Sequence, residues 1–233
     1  MLYIVSTPIG NLKDMSFRAV ETLQAVDLIA AEDTRHTKIL TQHYQIKTPL
    51  TSYFEHNKIK KSAELIKLLK SGKDIALVTD AGTPGISDPG YRLINLAREN
   101  HIDVCVVPGP TALIAALSAS GFPSDRFIFE GFLPDKPQSR KNRLKVFQGE
   151  KRTVIFYVSP HKVSKTLQDI EEVLNDPPIC VARELTKKFE EILQGKASEL
   201  AEHFIKTKPR GELVLLLNNN IKAKTPSEDP PSH

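Results

Sequence analysis

Short apolar runs alternate with amphipathic segments along the first half of the chain. The runs predict five strands, at residues 2–6, 28–31, 50–54, 74–79 and 103–107. Apolar positions at helical spacing between and after them predict helices at residues 17–26, 34–44 and 58–70, a fourth opened by Pro89 and Gly90, and a fifth at 111–120. Strands that alternate with helices are typical of a parallel sheet covered on both faces.

A second series of elements begins after Gly121-Phe122-Pro123-Ser124. It contains predicted strands at residues 127–129, 153–158, 179–182, 191–193 and 212–217, with helices near 138–147, 160–174 and 198–205. We therefore predict an α/β fold of two domains, residues 1–120 with a mostly parallel sheet and residues 121–217 with a mixed sheet. Residues 218–233 are rich in Asn and Pro and nearly lack apolar residues, so a disordered tail is predicted there.

Composition narrows the class of protein. Of 233 residues, 40% are hydrophobic and 26% are charged, which is ordinary for a globular protein and excludes a disordered or collagen-like chain. Two cysteines exclude a disulfide scaffold and most structural zinc sites, and both lie in apolar runs typical of buried residues. No run approaches the roughly 18 apolar residues of a membrane span. These features predict a cytoplasmic protein without a membrane partner or a bound metal.

Three loops rich in Gly and Pro follow predicted strands, at residues 6–11, 80–90 and 108–112. Ligands of open α/β sheets bind beyond the carboxyl ends of the strands, and such loops let a ligand approach the main chain. None of the loops has the Gly-Lys-Ser/Thr of a nucleotide-binding P-loop, the Gly-x-Gly-x-x-Gly of a dinucleotide fold or the Gly-x-Ser-x-Gly of a hydrolase. Plain strand-to-helix turns are the alternative interpretation.

A series of motifs in these loops and beyond resembles a known family. The motifs are IVSTPIGNL (4–12), AAEDTR (30–35), TDAGTP (79–84), SDPGY (87–91), PGP (108–110), EGFLP (130–134), YVSPHK (157–162), ARELTK (182–187) and KPRGE (208–212). Together they resemble the bacterial 16S ribosomal RNA cytidine 2′-O-ribose methyltransferases, a group within the tetrapyrrole methylase superfamily. The resemblance runs in order from about residue 2 to residue 217.

The resemblance implies S-adenosylmethionine as cofactor, in a cleft between two α/β domains, and a homodimer. The superfamily's cofactor contacts, many of them to the main chain, carry over to eleven positions. These are Pro8, Ile9, Asp80, Ala81, Gly82, Ile86, Thr111, Ala112, Tyr157, Val158 and Leu185.

A polar cluster directly after the second predicted strand offers catalytic candidates. Glu32 or Asp33 could accept the proton of a ribose hydroxyl, and Arg35 lies beside them. A helix N-terminus, with acids near the helix dipole and Thr34 as cap, explains the same residues. Methyl transfer from a sulfonium is also driven by positioning, so the chemistry does not require a dedicated base.

Residues 134–152 carry a net charge of +5, above the +4 of the whole chain. A phosphate-binding track for RNA is predicted from four of these residues: Arg140, Lys141, Arg143 and Lys145. A solvated helix face would give the same pattern. If the track lies elsewhere, the sequence points to Lys206, Lys208 and Arg210.

The favoured function is therefore methylation of small-subunit ribosomal RNA, either free or in the assembled subunit. Two alternatives remain open at this point. A tetrapyrrole C-methyltransferase would share the superfamily's fold and would also bind a polyanion. A non-enzymatic RNA-binding protein would share the basic segment and would not need the methyl donor.

Overall fold

The computed structural model describes residues 1–219. The chain divides into two compact units, Met1–Thr111 and the part from Ala112 onward. Each has one five-stranded sheet, the first all-parallel and the second mixed, so the predicted α/β class and sheet types are confirmed.

The first unit has strand order β3-β2-β4-β1-β5. Its strands are β1 (Leu2–Val5), β2 (Leu28–Ala31), β3 (Leu50–Ser52), β4 (Ile75–Val78) and β5 (Val104–Val107). All four strand pairs are parallel, so the carboxyl ends of all five strands lie along one edge. The loops after β1, β2 and β4 therefore leave the sheet side by side.

Helices cover both faces of this sheet, as the alternating pattern predicts. They are α1 (Phe17–Ala25), α2 (Thr34–His43), α3 (Lys58–Lys70) and α4 (Gly90–Glu99), with a short 3-10 turn at Leu12–Asp14. Leu23 of α1 and Leu40 of α2 pack with Val5 in one buried cluster. Leu65 of α3 and Leu93 of α4 pack with Ile4 in another. Successive residues of β1 thus point to opposite faces, as strand geometry requires.

The second unit has strand order β6-β7-β10-β8-β9. Its strands are β6 (Phe127–Phe132), β7 (Thr153–Val158), β8 (Pro178–Arg183), β9 (Glu191–Lys196) and β10 (Leu213–Leu217). β6 and β7 are parallel, and the other pairs are antiparallel. Leu213 of β10 pairs with both Val158 and Arg183, so β7 and β8 end at the same edge.

Four helices belong to this unit: α5 (Ala112–Ser120), α6 (Pro137–Lys145), α7 (Val163–Leu174) and α8 (Ala197–Thr207). Residues of α6, α7 and α8 form one buried cluster with Phe156, Val181 and Leu215. α5 contacts β7, β8, β9 and β10. The boundary between the units therefore falls after Thr111 and not after residue 120, because α5 packs on the second sheet.

The predicted disordered tail began at residue 218, but the first two of its residues are held in place. Asn218 is buried, and its Nδ2 donates to Thr153 Oγ1 over 3.0 Å. Asn219 Nδ2 donates to the carbonyl oxygens of Phe147 and Glu150. The rest of the predicted tail lies outside the described residues. Within the described residues, no helix is long and apolar enough to cross a membrane.

Candidate active site

The loops after β1 and β4 are joined by two main-chain hydrogen bonds. The N–H of Thr7 donates to the carbonyl of Gly82 over 2.9 Å, and the N–H of Gly82 donates back to Thr7 over 3.1 Å. Gly82 has φ +88°, a conformation that residues with a Cβ rarely adopt. The pair holds the predicted cofactor positions around Pro8 and Gly82 beside each other.

The loop after β5 approaches the same place. A Cβ added at Gly109 would lie 2.8 Å from Cβ of Ser6, closer than real Cβ contacts allow. Hydroxyl groups link the three loops, because Thr83 Oγ1 lies 2.8 Å from Ser6 Oγ and 2.9 Å from Thr111 Oγ1. The structure therefore brings together the first-unit cofactor positions that the resemblance implies in these three loops.

Asp88 closes the turn at the C-terminal end of the loop after β4. Both of its carboxylate oxygens accept the N–H of Gly85 over 2.9 Å, and Oδ1 also accepts the N–H of Gly90 over 2.6 Å. Burial raises the pKa of Asp88 above its ordinary value. The closed turn carries Ile86, another predicted cofactor position, whose side chain is exposed.

Glu32 and Asp80 meet where β2 and β4 end. Glu32 Oε2 accepts the hydroxyl of Thr79 over 2.5 Å and the N–H of Asp80 over 3.3 Å. Asp80 Oδ1 accepts the N–H of Asp33 over 3.1 Å. Burial, and then the negative charge of Glu32, raises the pKa of Asp80. This site therefore contains a carboxyl group with increased proton affinity.

Asp33 has the opposite environment. It is the N-cap of α2, where its Oδ1 accepts the N–H of Arg35 over 2.8 Å, so the cap is Asp33 and not Thr34. The Arg35 guanidinium binds both carboxylate oxygens over 3.1 and 2.7 Å. These bonds lower the pKa of Asp33 to about 2. The helix N-terminus interpretation thus accounts for Asp33 and Arg35.

A small cavity of about 80 Å³ lies over these strand ends. Its walls come from the loop after β1, from α2 and from the end of β4. The polar lining includes Thr7, His36, Thr37, Thr79 and Asp80. His36 belongs to the same polar cluster after the second strand but was not among the catalytic candidates; it lies in the first turn of α2.

Four of the predicted cofactor positions lie in the second unit. Ala112 begins α5, Tyr157 and Val158 end β7, and the buried Leu185 follows β8. Because β7 and β8 end at the same edge, Val158 and Leu185 both lie at that edge of the sheet. The ring of Tyr157 packs edge-on against Phe129 and Phe132, and burial raises its pKa.

The predicted phosphate track on α6 is largely occupied by acidic partners. Arg140 is buried, and its Nε lies 2.6 Å from Oδ2 of Asp169 on α7. Lys141 pairs with Glu172 over 2.5 Å, and the guanidinium of Arg143 binds both oxygens of Glu130. The buried Arg140 is unavailable to RNA, so this part of the prediction is wrong. Lys145 is exposed and stays a prediction.

Of the three alternative basic residues, Lys206 pairs with Glu202 over 3.8 Å. The other two lie in a groove of about 410 Å³ near the end of α8. Lys208 and Arg210 line it, together with His203 and the exposed ring of Phe189. Neither Lys208 nor Arg210 forms an ion pair with any described residue. Across residues 1–219, no group of three or more His, Cys, Asp or Glu side chains could hold a metal.

Comparison with known proteins defines the class. The model of the tetrapyrrole (corrin/porphyrin) methylases matches residues 1–201, and the chain belongs to this family. It is 49% identical over 217 residues to ribosomal RNA small subunit methyltransferase I of Thermotoga maritima, covering 93% of this chain and 97% of that protein. It is 51% identical over 231 residues to the protein of that name from Synechocystis, covering 99% and 81% of the two chains.

Solved structures of the family share the fold. Uroporphyrin-III C-methyltransferase of Thermus thermophilus, complexed with S-adenosylhomocysteine, superposes with a TM-score of 0.64 and 17% identity. The match covers 92% of this chain and 96% of that one.

Proposed function

We propose that this protein transfers a methyl group from S-adenosylmethionine to the 2′-hydroxyl of a cytidine in small-subunit ribosomal RNA. The observation that carries the proposal is the sequence identity of 49–51%, over nearly the whole chain, to ribosomal RNA small subunit methyltransferases. The site formed by the loops after β1, β4 and β5 supports it. The same identity disfavours a non-enzymatic RNA-binding protein, because those relatives are named as enzymes.

The alternative of a tetrapyrrole C-methyltransferase has weaker support. Its representative among the solved structures is 17% identical to this chain, which supports a common fold and leaves the substrate open. Fold similarity does not carry substrate specificity within a superfamily. The ribosomal RNA methyltransferases are 49–51% identical to this chain, and this much higher identity favours RNA as the substrate.

The residues present at the loop site fit S-adenosylmethionine. Glycines at positions 82 and 109 leave the main chain accessible, and a Cβ at either place would strain the turn or strike Ser6. The linked hydroxyls of Ser6, Thr83 and Thr111 can donate to or accept from the polar groups of a nucleoside. S-adenosylmethionine supplies an electrophilic methyl group on a sulfonium, which needs no metal for activation.

We propose that the first-unit loops hold the cofactor through seven residues: Pro8, Ile9, Asp80, Ala81, Gly82, Ile86 and Thr111. The contribution of this chain is then to position the donor and the ribose hydroxyl for direct transfer. For Ala112, Tyr157, Val158 and Leu185 of the second unit, a cofactor contact remains a prediction from the resemblance. Glu32, Asp33 and Arg35 shape the neighbouring strand ends.

For RNA we propose the groove with Lys208 and Arg210 as a phosphate contact. These exposed cations lack acidic partners among the described residues, whereas Arg140, Lys141 and Arg143 are all paired. We also propose a homodimer, on the family resemblance, and a cytoplasmic site of action, because the ribosomal substrate is located there. Free small-subunit RNA and the assembled subunit are both candidates as the form that is bound.

Transfer of radiolabelled methyl to purified RNA substrates tests the function. The protein is incubated with labelled S-adenosylmethionine and either small-subunit particles, deproteinised 16S RNA or uroporphyrinogen. We expect label in ribosomal RNA and none in the tetrapyrrole. Label in the tetrapyrrole alone would overturn the proposal, and the two RNA samples show which form is the substrate.

A further inference from the structure

We infer that Asp80 is the group that accepts the proton of the ribose 2′-hydroxyl during methyl transfer. This inference rests on the proposed function and names a catalytic residue for it. The resemblance assigned Asp80 to cofactor binding only, and the sequence offered Glu32 and Asp33 as bases instead. The structure separates these three carboxylates by what each one contacts.

Asp33 is unsuited to take up a proton. Its carboxylate is bound by the Arg35 guanidinium and by the N–H of Arg35, which lowers its pKa to about 2. A carboxylate with so low a pKa has little tendency to accept the proton of a hydroxyl group. Its Oδ1 caps α2, and its Oδ2 accepts a hydrogen bond from the Arg35 guanidinium, so both oxygens are engaged.

Glu32 is engaged in holding the end of β4. Its Oε2 accepts the hydroxyl of Thr79 and the N–H of Asp80, so the bonded oxygen fixes the main chain that carries Asp80. Glu32 is absent from the lining of the cavity over the strand ends. We therefore assign Glu32 as a positioning residue that acts through Asp80.

Asp80 has both the access and the orientation that a base requires. It lines the cavity that Pro8 and Gly10 also line, and the next residues, Ala81 and Gly82, form the turn bonded to Thr7. The Asp33 N–H fixes Oδ1, while Oδ2 has no hydrogen-bond partner within the described residues. Oδ2 is therefore free to meet a hydroxyl beside the loops proposed to hold the methyl donor.

The charges around Asp80 raise its proton affinity. Glu32 and Asp33 are the nearby acids, and His36 on α2 and the Arg35 guanidinium are the nearby basic groups. Burial and Glu32 outweigh His36 and the Asp33 N–H, so the pKa of Asp80 is raised. Because the base must be ionised to act, activity is expected to fall as the pH drops through this raised pKa.

The step balances without another reactant. The 2′-oxygen forms a bond to the methyl carbon, and the carbon–sulfur bond breaks with its electron pair remaining on sulfur. The hydroxyl proton moves to Asp80 Oδ2, which returns it to water after the product leaves. The products are S-adenosylhomocysteine and the 2′-O-methylated nucleotide.

The test combines Asp80→Asn with the conservative Asp80→Glu. Single-turnover methylation of small-subunit RNA should fall by about 10²–10⁴-fold in Asp80→Asn, the usual range for a lost acid–base group. Asp80→Glu should recover part of the rate and keep the decline at acid pH. Asp125→Asn, an exposed carboxylate in the second unit, is the matched control.

Two measurements without turnover complete the test. Calorimetry should give an affinity for S-adenosylmethionine within about threefold of wild type for Asp80→Asn, because the cofactor contact proposed for Asp80 is made by its main chain, which the substitution keeps, and only the side chain is assigned to the proton. Infrared titration of the protein alone should show a carboxyl band of raised pKa that Asp80→Asn removes. If Asp80→Asn is poorly folded, Asp80→Glu and this titration decide.

The outcomes separate the inference from the proposed function. A wild-type protein that never methylates RNA ribose contradicts the proposed function. A wild-type protein that does, with Asp80→Asn at a similar rate, contradicts the role of Asp80. If Asp33→Asn abolishes the decline of activity at acid pH and Asp80→Asn does not, the base is Asp33 and not Asp80.

Discussion

At the scale of single residues, glycine and aspartate positions build the loop site. Gly82 provides a backbone with φ +88° that allows the paired bonds to Thr7, and Gly109 provides the close approach to Ser6. The sequence indicated the glycine-rich loops, because Gly and Pro mark such turns directly. The sequence could not assign separate roles to Glu32, Asp33 and Asp80, because the hydrogen bonds that distinguish them join the ends of separate strands.

Gly82→Ala should weaken S-adenosylmethionine binding by tenfold or more, because the turn must shift to relieve its positive φ. The strain should also lower the free energy of unfolding by about 1–2 kcal/mol. Gly72→Ala is the matched control, with φ +89° and nothing within 4 Å of an added Cβ. Calorimetry and denaturant unfolding should show equal destabilisation in both variants and weakened binding in only one. Equal affinities would exclude this loop from the site.

At the scale of elements, hydrophobic periodicity predicted nearly every helix and strand of the described chain. Ser16 caps α1, with its hydroxyl accepting the N–H of Ala19. Periodicity did not place α5, because an apolar helix between two units can pack on either sheet. Periodicity also could not show that cations of α6 pair with acids of α7. The partners are far apart in the sequence: Asp169 lies 29 residues from Arg140.

Arg140→Ala should lower the free energy of unfolding by about 3 kcal/mol, near the low end for a broken buried ion pair, because Asp169 then keeps only Lys141 Nζ, 3.7 Å from its Oδ1, as a cationic partner. The exposed Lys145→Ala, on the same helix, should change it by less than about 0.5 kcal/mol. Urea unfolding of both variants checks the difference. A stable Arg140→Ala protein with reduced RNA affinity would instead restore the phosphate track on α6.

At the scale of the whole molecule, the location of unpaired cations decides where a polyanion can bind. The net charge of +4 does not say where a polyanion would bind. In the segment of highest positive charge, Arg140, Lys141, Arg143 and Arg152 are paired with acidic residues. The groove near the end of α8 has exposed Lys208 and Arg210 beside the ring of Phe189. A charge count could not distinguish these two regions, since pairing depends on the fold.

Lys208→Glu with Arg210→Glu should weaken binding to small-subunit RNA and lower the slope of log affinity against log salt. On single-stranded RNA the slope should fall by about 0.7 for each phosphate that the protein no longer neutralises. Lys67→Glu with Lys70→Glu makes the same change of net charge on the exposed face of α3 and serves as control. Filter binding at several salt concentrations tests this. Equal slopes in both double variants would remove the groove from the RNA interface.

The central claim is ribose methylation of ribosomal RNA, and its most direct test is mass spectrometry of the modified RNA. Small subunits from a strain lacking this protein are treated with the purified protein and S-adenosylmethionine, and the RNA is digested to nucleosides. We expect a gain of 2′-O-methylcytidine that is absent when the protein or the methyl donor is omitted. A methyl group on a base, or RNA without any added methyl group, would contradict the claim.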